Sequence, residues 1–133
     1  MSSNSIKLFN IQLINFAKVL VKRFPTDSEL KFALTGIETL YKVNPKKNLE
    51  IFTMYIYKYR DKIMDQNEDF LLKTDFLDDN PDLNTSGAFD IMKRLKSNWS
   101  ELDASDKTNV WKYLKVLISL DDKCIKSTLQ NTS

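Results

Sequence analysis

One short stretch of the chain has the spacing of a metal-binding loop. Residues 78–84 carry oxygen-bearing side chains at alternate positions: Asp78, Asn80, Asp82 and Asn84. This matches the first four ligand positions of an EF-hand calcium loop. The match then fails, because Leu83 stands where the sharp turn requires glycine and Phe89 stands where the bidentate glutamate belongs. We therefore predict a plain turn and no metal site.

The other residue types that commonly perform catalysis are scarce. The chain has no histidine, so it lacks the commonest general base and zinc ligand. Cys124 is the single cysteine, which rules out an internal disulfide and favours a reducing compartment. Gly36 and Gly87 are isolated, so no glycine-rich phosphate loop is present. The predicted end of the third helix has four acidic residues, which oppose the helix dipole and look solvent-exposed: Asp61, Asp65, Glu68 and Asp69. We predict no catalytic residue, no cofactor and no enzymatic activity.

An aromatic and basic run is the main indication of nucleic-acid binding. It consists of Tyr55, Tyr57, Lys58, Tyr59 and Arg60. Such residues stack on bases and neutralise phosphates when they share one surface. Consecutive residues of a helix point in different directions, however. The net charge of +2 also divides into +6 over residues 1–62, −7 over 63–92 and +3 over 93–133, which is not one basic face. A nucleic-acid-associated accessory role is therefore the alternative function.

The elements that position these residues are predicted to be helices. With two glycines and three prolines among 133 residues, the chain has few turn signals, and its apolar residues recur at steps of three and four. Phe24-Pro25 ends the first helix, Thr26 and Glu29 read as a capping box for the second, and Asn44-Pro45 reads as an N-cap for the third. We predict a compact, single-domain, all-α bundle of about five amphipathic helices near 5–24, 27–43, 45–66, 86–102 and 105–121, with a loop at 67–85 and a frayed tail at 122–133.

The apolar stretches are too short or too interrupted for export or membrane insertion. The first one contains polar residues such as Asn10, and no run of about 18 apolar residues occurs anywhere. We expect an intracellular protein that is not secreted and has no membrane partner.

The third predicted helix carries more apolar groups than one core stripe needs. Its stripe consists of Leu49, Phe52, Ile56, Tyr59 and Ile63. A helix that is apolar nearly all round is central in its fold or covered by a partner. The candidate partner-binding residues are the surplus ones with the adjacent base: Ile51, Met54, Tyr55, Tyr57 and Lys58. Trp99 and Trp111 both lie on core stripes, where packing is the expected role.

The last two predicted helices carry the only family resemblance. The run Trp99-x-x-Leu102-x4-Lys107-x2-Val110-Trp111-x-Tyr113-Leu114-x2-Leu117, together with Phe24-Pro25 and Asn44-Pro45, resembles small uncharacterised helical proteins of nucleocytoplasmic large DNA viruses. The resemblance implies a viral protein in the host cytoplasm or the virion, and no catalytic residue follows from it. We expect a non-enzymatic helical module for protein–protein interaction or structure, such as a virion, assembly or host-interaction component, with a protein partner or self-association.

Overall fold

A computed structural model describes the backbone of residues 2–74 and 87–132, and the side chains of residues 4–74 and, except for Phe89, 87–126. Within these residues the chain is all-helical and contains no strand, which confirms the predicted class. The same residues form seven α-helices rather than about five. They are α1 (Ser2–Arg23), α2 (Ser28–Val43), α3 (Lys47–Tyr55), α4 (Arg60–Met64), α5 (Glu68–Lys73), α6 (Gly87–Asn98) and α7 (Ala104–Thr132), with 3-10 turns at Tyr57–Tyr59 and Trp99–Glu101.

The helix predicted at 45–66 is broken in two. α3 ends at Tyr55, and the 3-10 turn at Tyr57–Tyr59 separates it from α4. The sequence between Tyr55 and Tyr59 is rich in aromatic residues, which lose side-chain freedom in a helix and weaken it. Tertiary contacts then decide the break, because Tyr57 and Arg60 both reach Asp122 of α7. The core stripe survives, since its aliphatic members remain buried on both sides of the turn.

The predicted loop at 67–85 contains the short helix α5. Gln66 adopts a positive φ of 54°, and the N–H of Asn67 donates to the carbonyl of Lys62, which is a Schellman-type ending for α4. The Asn67 side chain then accepts from the N–H of Phe70 at 2.8 Å and caps α5. The sequence did not indicate this end of α4, because glutamine occupies the positive-φ position where glycine is usual.

The tail predicted to fray from residue 122 continues α7 to Thr132 instead. Asp121 and Cys124 are both buried in this part of the helix. The whole of α7 packs chiefly on α1 and also contacts α4, and Asp121 near its end accepts hydrogen bonds from Thr53 of α3.

Two helix caps also differ from the prediction. The cap of α2 is Asp27 and not Thr26, since Asp27 accepts from the N–H groups of Glu29 and Leu30. The same carboxylate accepts from Arg94 and Asn98 of α6 at 2.9 Å each, so it joins two helices. Asn44 ends α2 rather than starting α3, because its N–H donates to the carbonyl of Leu40.

The core is built on the pairing of α1 with α7. Arg23 pairs with Asp106 at 2.9 Å, and the rings of Phe16 and Tyr113 stack with their centroids 5.3 Å apart. Since residue numbers rise along one helix as they fall along the other, the two helices are antiparallel. The helices α2, α3 and α6 complete one apolar cluster. No helix among the described residues has the length and apolarity needed to cross a bilayer.

Two buried asparagines link three parts of this core. The Asn10 amide of α1 donates to the carbonyls of Ile6 and Pro45 at 2.9 Å. The Asn48 amide of α3 donates to the Asn10 side-chain oxygen and to the carbonyl of Ile37, both at 3.1 Å. The chain between α2 and α3 is thereby fixed against α1.

The close approach of α2 and α6 requires glycine at one position. A Cβ at Gly87 would lie 2.5 Å from a side-chain carbon of Ile37 and 2.8 Å from the backbone oxygen of Ala33. We expect Gly87→Ala to lower the free energy of unfolding by about 2 kcal/mol, because the helices must separate. The matched control is Gly36→Ala, where the nearest atom is at 4.0 Å, and it should raise that energy by up to about 1 kcal/mol. Urea unfolding followed by circular dichroism measures both, and equal effects would contradict the close approach.

Candidate functional site

The outward side of α3 is a stripe at helical spacing. Lys47, Glu50, Ile51 and Met54 follow one another at steps of three, one and three, so they share one face. The opposite side of α3 buries its core residues, which are Asn48, Leu49 and Phe52. The two sides differ because α3, a helix of nine residues, packs on α1, α2 and α6 with one side only.

An open groove runs along each side of α3. The groove between α3 and α7, here the α3–α7 groove, has a volume of about 510 Å³ and is lined by residues that include Leu49 and Met54. The groove between α2 and α3, here the α2–α3 groove, has a volume of about 790 Å³ and extends past Ile51 to Gly87 of α6. Both volumes are in the range of ligand and side-chain binding clefts.

The most exposed large apolar side chains all belong to these two grooves. Phe32 and Val43 line the α2–α3 groove and are 79% and 77% exposed, while Met54 lines the α3–α7 groove and is 64% exposed. No other large apolar side chain in the described part of the chain is more than half exposed. With the half-buried Ile51 between them, these residues define what we call the α3 face: Phe32, Val43, Ile51 and Met54.

A buried carboxylate lies at the floor of the α3–α7 groove. Asp121 of α7 is 0% exposed, and both of its oxygens accept from the hydroxyl of Thr53 at 2.8 Å. Burial raises the pKa of Asp121 to about 6, with the Thr53 hydrogen bond opposing the rise and the neighbouring Asp122 adding to it. Burial also raises the pKa of the Cys124 thiol beside it, so the thiolate that reacts with electrophiles is disfavoured.

The adjacent carboxylate, Asp122, has the opposite environment. The guanidinium of Arg60 reaches its two oxygens at 3.2 and 2.9 Å, and the Tyr57 hydroxyl donates to it as well. The Arg60 hydrogen bond lowers the pKa of Asp122, and the bond to Asp122 raises the pKa of Tyr57. This triad joins the 3-10 turn and α4 to α7.

The structure separates the five residues predicted to bind a partner. Ile51 and Met54 lie on the α3 face, as described above. Tyr55 packs against the core, Tyr57 is half-buried in its contact with α7, and Lys58 is exposed. The break after Tyr55 turns Tyr57 and Lys58 away from the stripe, because residues beyond it no longer follow the helical period of α3.

Two apolar residues of the α3 face were missed in the sequence. Phe32 and Val43 lie away from the buried side of α2, which carries Leu30, Ala33 and Ile37, and both are exposed in the structure. A surplus apolar group outside the core stripe is the same signal that singled out Ile51 on the next helix. The same criterion, if applied to α2, would have identified both Phe32 and Val43.

The buried carboxylate Asp121 was also missed. It lies three and four residues after Ile118 and Leu117, which are both fully buried, so it falls at core spacing. An acidic residue in line with buried apolar ones was the available signal.

The remaining chemical candidates take structural places or lie outside the described residues. Asp78, Asn80, Asp82 and Asn84 belong to the part of the chain that is not described. Within the described residues, no group of three potential metal ligands occurs. Trp99 and Trp111 are buried against each other with ring centroids 5.6 Å apart, which agrees with packing roles.

Comparisons with known proteins add no family to this picture. The chain matches no protein-family model, no curated protein and no solved structure. The α3 face and its two grooves are therefore the features of the described residues from which a function is inferred.

Proposed function

We propose that the protein is a non-enzymatic interaction module that binds another protein through the α3 face. One observation carries the proposal: the three large apolar side chains that are more than half exposed in the described residues all line the grooves beside α3. Exposed apolar side chains that cluster around concave surfaces are typical of protein contact sites. The resemblance to helical viral proteins would make the partner a viral or host protein.

The surroundings of the α3 face suit a protein contact better than a nucleic acid. The exposed apolar groups are flanked by both charge signs, with Lys47 and Glu50 only 3.8 Å apart and Asp90 at the far side of the α2–α3 groove. A mixed polar rim around apolar anchors is the usual composition of a protein interface. A nucleic-acid surface instead concentrates basic groups.

The test replaces the most exposed apolar residue of each groove with glutamine, singly and together. These residues are Phe32 in the α2–α3 groove and Met54 in the α3–α7 groove. A pull-down from the native source identifies candidate partners, and binding is then measured with the purified partner; sedimentation velocity measures self-association. We expect each variant to weaken the contact by about thirtyfold, as for anchor residues worth about 2 kcal/mol. Melting should change little, since both side chains are exposed.

The matched control is Val116→Gln, which alters a 42% exposed side chain in a separate groove beside Gln12. It should leave partner binding and self-association unchanged. If the double variant Phe32→Gln, Met54→Gln binds like the wild-type protein, the α3 face is not the contact surface. Binding to DNA or RNA that weakens steeply with salt would favour the alternative role instead.

A further inference from the structure

Asp121 has far fewer hydrogen-bond donors than a buried carboxylate accommodates. Its two oxygens share the single hydroxyl proton of Thr53, whereas an ionised carboxylate has about four acceptor positions. In the described part of the chain, no lysine or arginine acts on the charge of Asp121, whereas the neighbouring Asp122 forms an ion pair with Arg60. Buried charges are ordinarily paired. Among the described residues, Asp121 therefore has no counter-ion.

The residues that line the α3–α7 groove indicate which kind of cation would pair with Asp121. Its walls are the apolar side chains of Leu49, Met54 and Ile125. The described residues that line it include two carboxylates, Glu50 and Asp121, and no basic group. A complementary occupant has an apolar shaft and a cationic end. A lysine side chain has both, since its methylene stem packs on apolar surfaces and its ammonium is compact.

We propose that the α3–α7 groove receives a lysine side chain of the partner protein, with the ammonium paired to Asp121. This inference rests on the proposed function, because the lysine is delivered by the protein that docks on the α3 face. Asp121 is fully covered, and in the proposed complex the ammonium reaches it through a change in the conformation of groove side chains such as Met54, which lines the same groove and is 64% exposed. Methionine suits that role, since it is unbranched and has three rotatable side-chain bonds. Arginine fits less well, because its planar guanidinium is wider than an ammonium.

The groove chemistry is tested without the partner by using n-hexylamine as the probe and 1-hexanol as its neutral counterpart. The chain has four methionines, so labelling their methyl carbons gives a simple NMR spectrum in which exposed Met54 reports on the groove and buried Met92 on the core. We expect saturable changes in the Met54 signal alone, with hexylamine binding about tenfold more tightly than hexanol, because a charge-assisted hydrogen bond adds to the same apolar contact.

Two isosteric variants locate the charge that recognises the amine. Asp121→Asn should reduce the tenfold preference to about one, while Glu50→Gln, at the exposed rim, should keep it. If hexylamine shows no preference over hexanol, or if Glu50→Gln removes the preference and Asp121→Asn does not, the inference is overturned. The proposed function would then still stand on the Phe32 and Met54 variants, which do not depend on Asp121.

A second comparison distinguishes a partner's lysine from a free amine. An alanine-based helical peptide with one lysine between two leucines is compared with the same peptide carrying norleucine, which keeps the shaft and removes the ammonium. We expect the lysine peptide to bind at least about tenfold more tightly than both the norleucine peptide and hexylamine. If free hexylamine binds as tightly as the lysine peptide, the site serves small amines, and the assignment to a partner's lysine is wrong.

Discussion

Replacement of Asp121 by asparagine is expected to raise the free energy of unfolding by about 3 kcal/mol at pH 8. The carboxyl has a pKa of about 6 in the folded protein against an ordinary value of 3.8, and a difference of one in pKa corresponds to about 1.4 kcal/mol. Asparagine keeps the shape and the contact with Thr53 but carries no charge. A stabilising effect of Asp121→Asn would show that the ionised, buried carboxylate lowers the stability of the fold.

The pH dependence of this effect has a definite sign. The pKa of Asp121 is higher in the folded than in the unfolded protein, so its ionised form lowers the free energy of unfolding. This loss is complete above pH 6 and disappears as the pH falls from about 6 to about 4. The Thr53 hydroxyl of α3 and the neighbouring Asp122 act on the pKa of Asp121, Asp121 in turn acts on the Cys124 thiol, and Glu50 lines the same groove. Urea unfolding at a series of pH values should therefore show the Asp121→Asn advantage shrinking towards acid.

The neighbouring substitution Asp122→Asn is the matched control. The pKa of Asp122 is lowered by Arg60, so its ionised form stabilises the fold and that contribution is lost as the pH falls. Asp122→Asn should thus destabilise the protein at neutral pH, in the opposite direction to Asp121→Asn. An Asp121→Asn variant whose stability equals that of the wild-type protein from about pH 5 to about pH 8 would show that the carboxylate is not a burden to the fold.

Replacement of Asn10 by alanine should lower the free energy of unfolding by about 3 kcal/mol. The Asn10 side chain makes three buried or part-buried hydrogen bonds, and each contributes about 1 kcal/mol net. The loss also leaves the Pro45 carbonyl and the Asn48 amide without this partner. Urea unfolding followed by circular dichroism measures the change.

The control for this prediction is Asn15→Ala, the same substitution at an exposed position of the same helix. Alanine is the better helix former, so Asn15→Ala should leave the stability unchanged or raise it slightly. If the two variants lose equal stability, the buried asparagine network does not hold α1 against the chain between α2 and α3.

Local residue patterns were sufficient to predict the helical class and most of the core. Most of the described apolar residues at steps of three and four in α1, α2, α6 and α7 are buried, because an amphipathic stripe has to be covered whichever helix covers it. The surplus apolar groups of α3 also marked Ile51 and Met54 before any tertiary information. Both predictions depend only on local periodicity, which a sequence contains in full.

Tertiary structure alone decided the break after Tyr55, the length of α7 and the place of Asp121. The break depends on the contacts of Tyr57 and Arg60 with Asp122, which lies about sixty residues further along the chain. The last helix packs on α1 and α4, and Asp121 is buried where the Thr53 hydroxyl of α3 hydrogen-bonds to it. A carboxylate is expected to be solvent-exposed from sequence alone, because acidic side chains are rarely buried. Whether it is buried depends on the helices that pack around it.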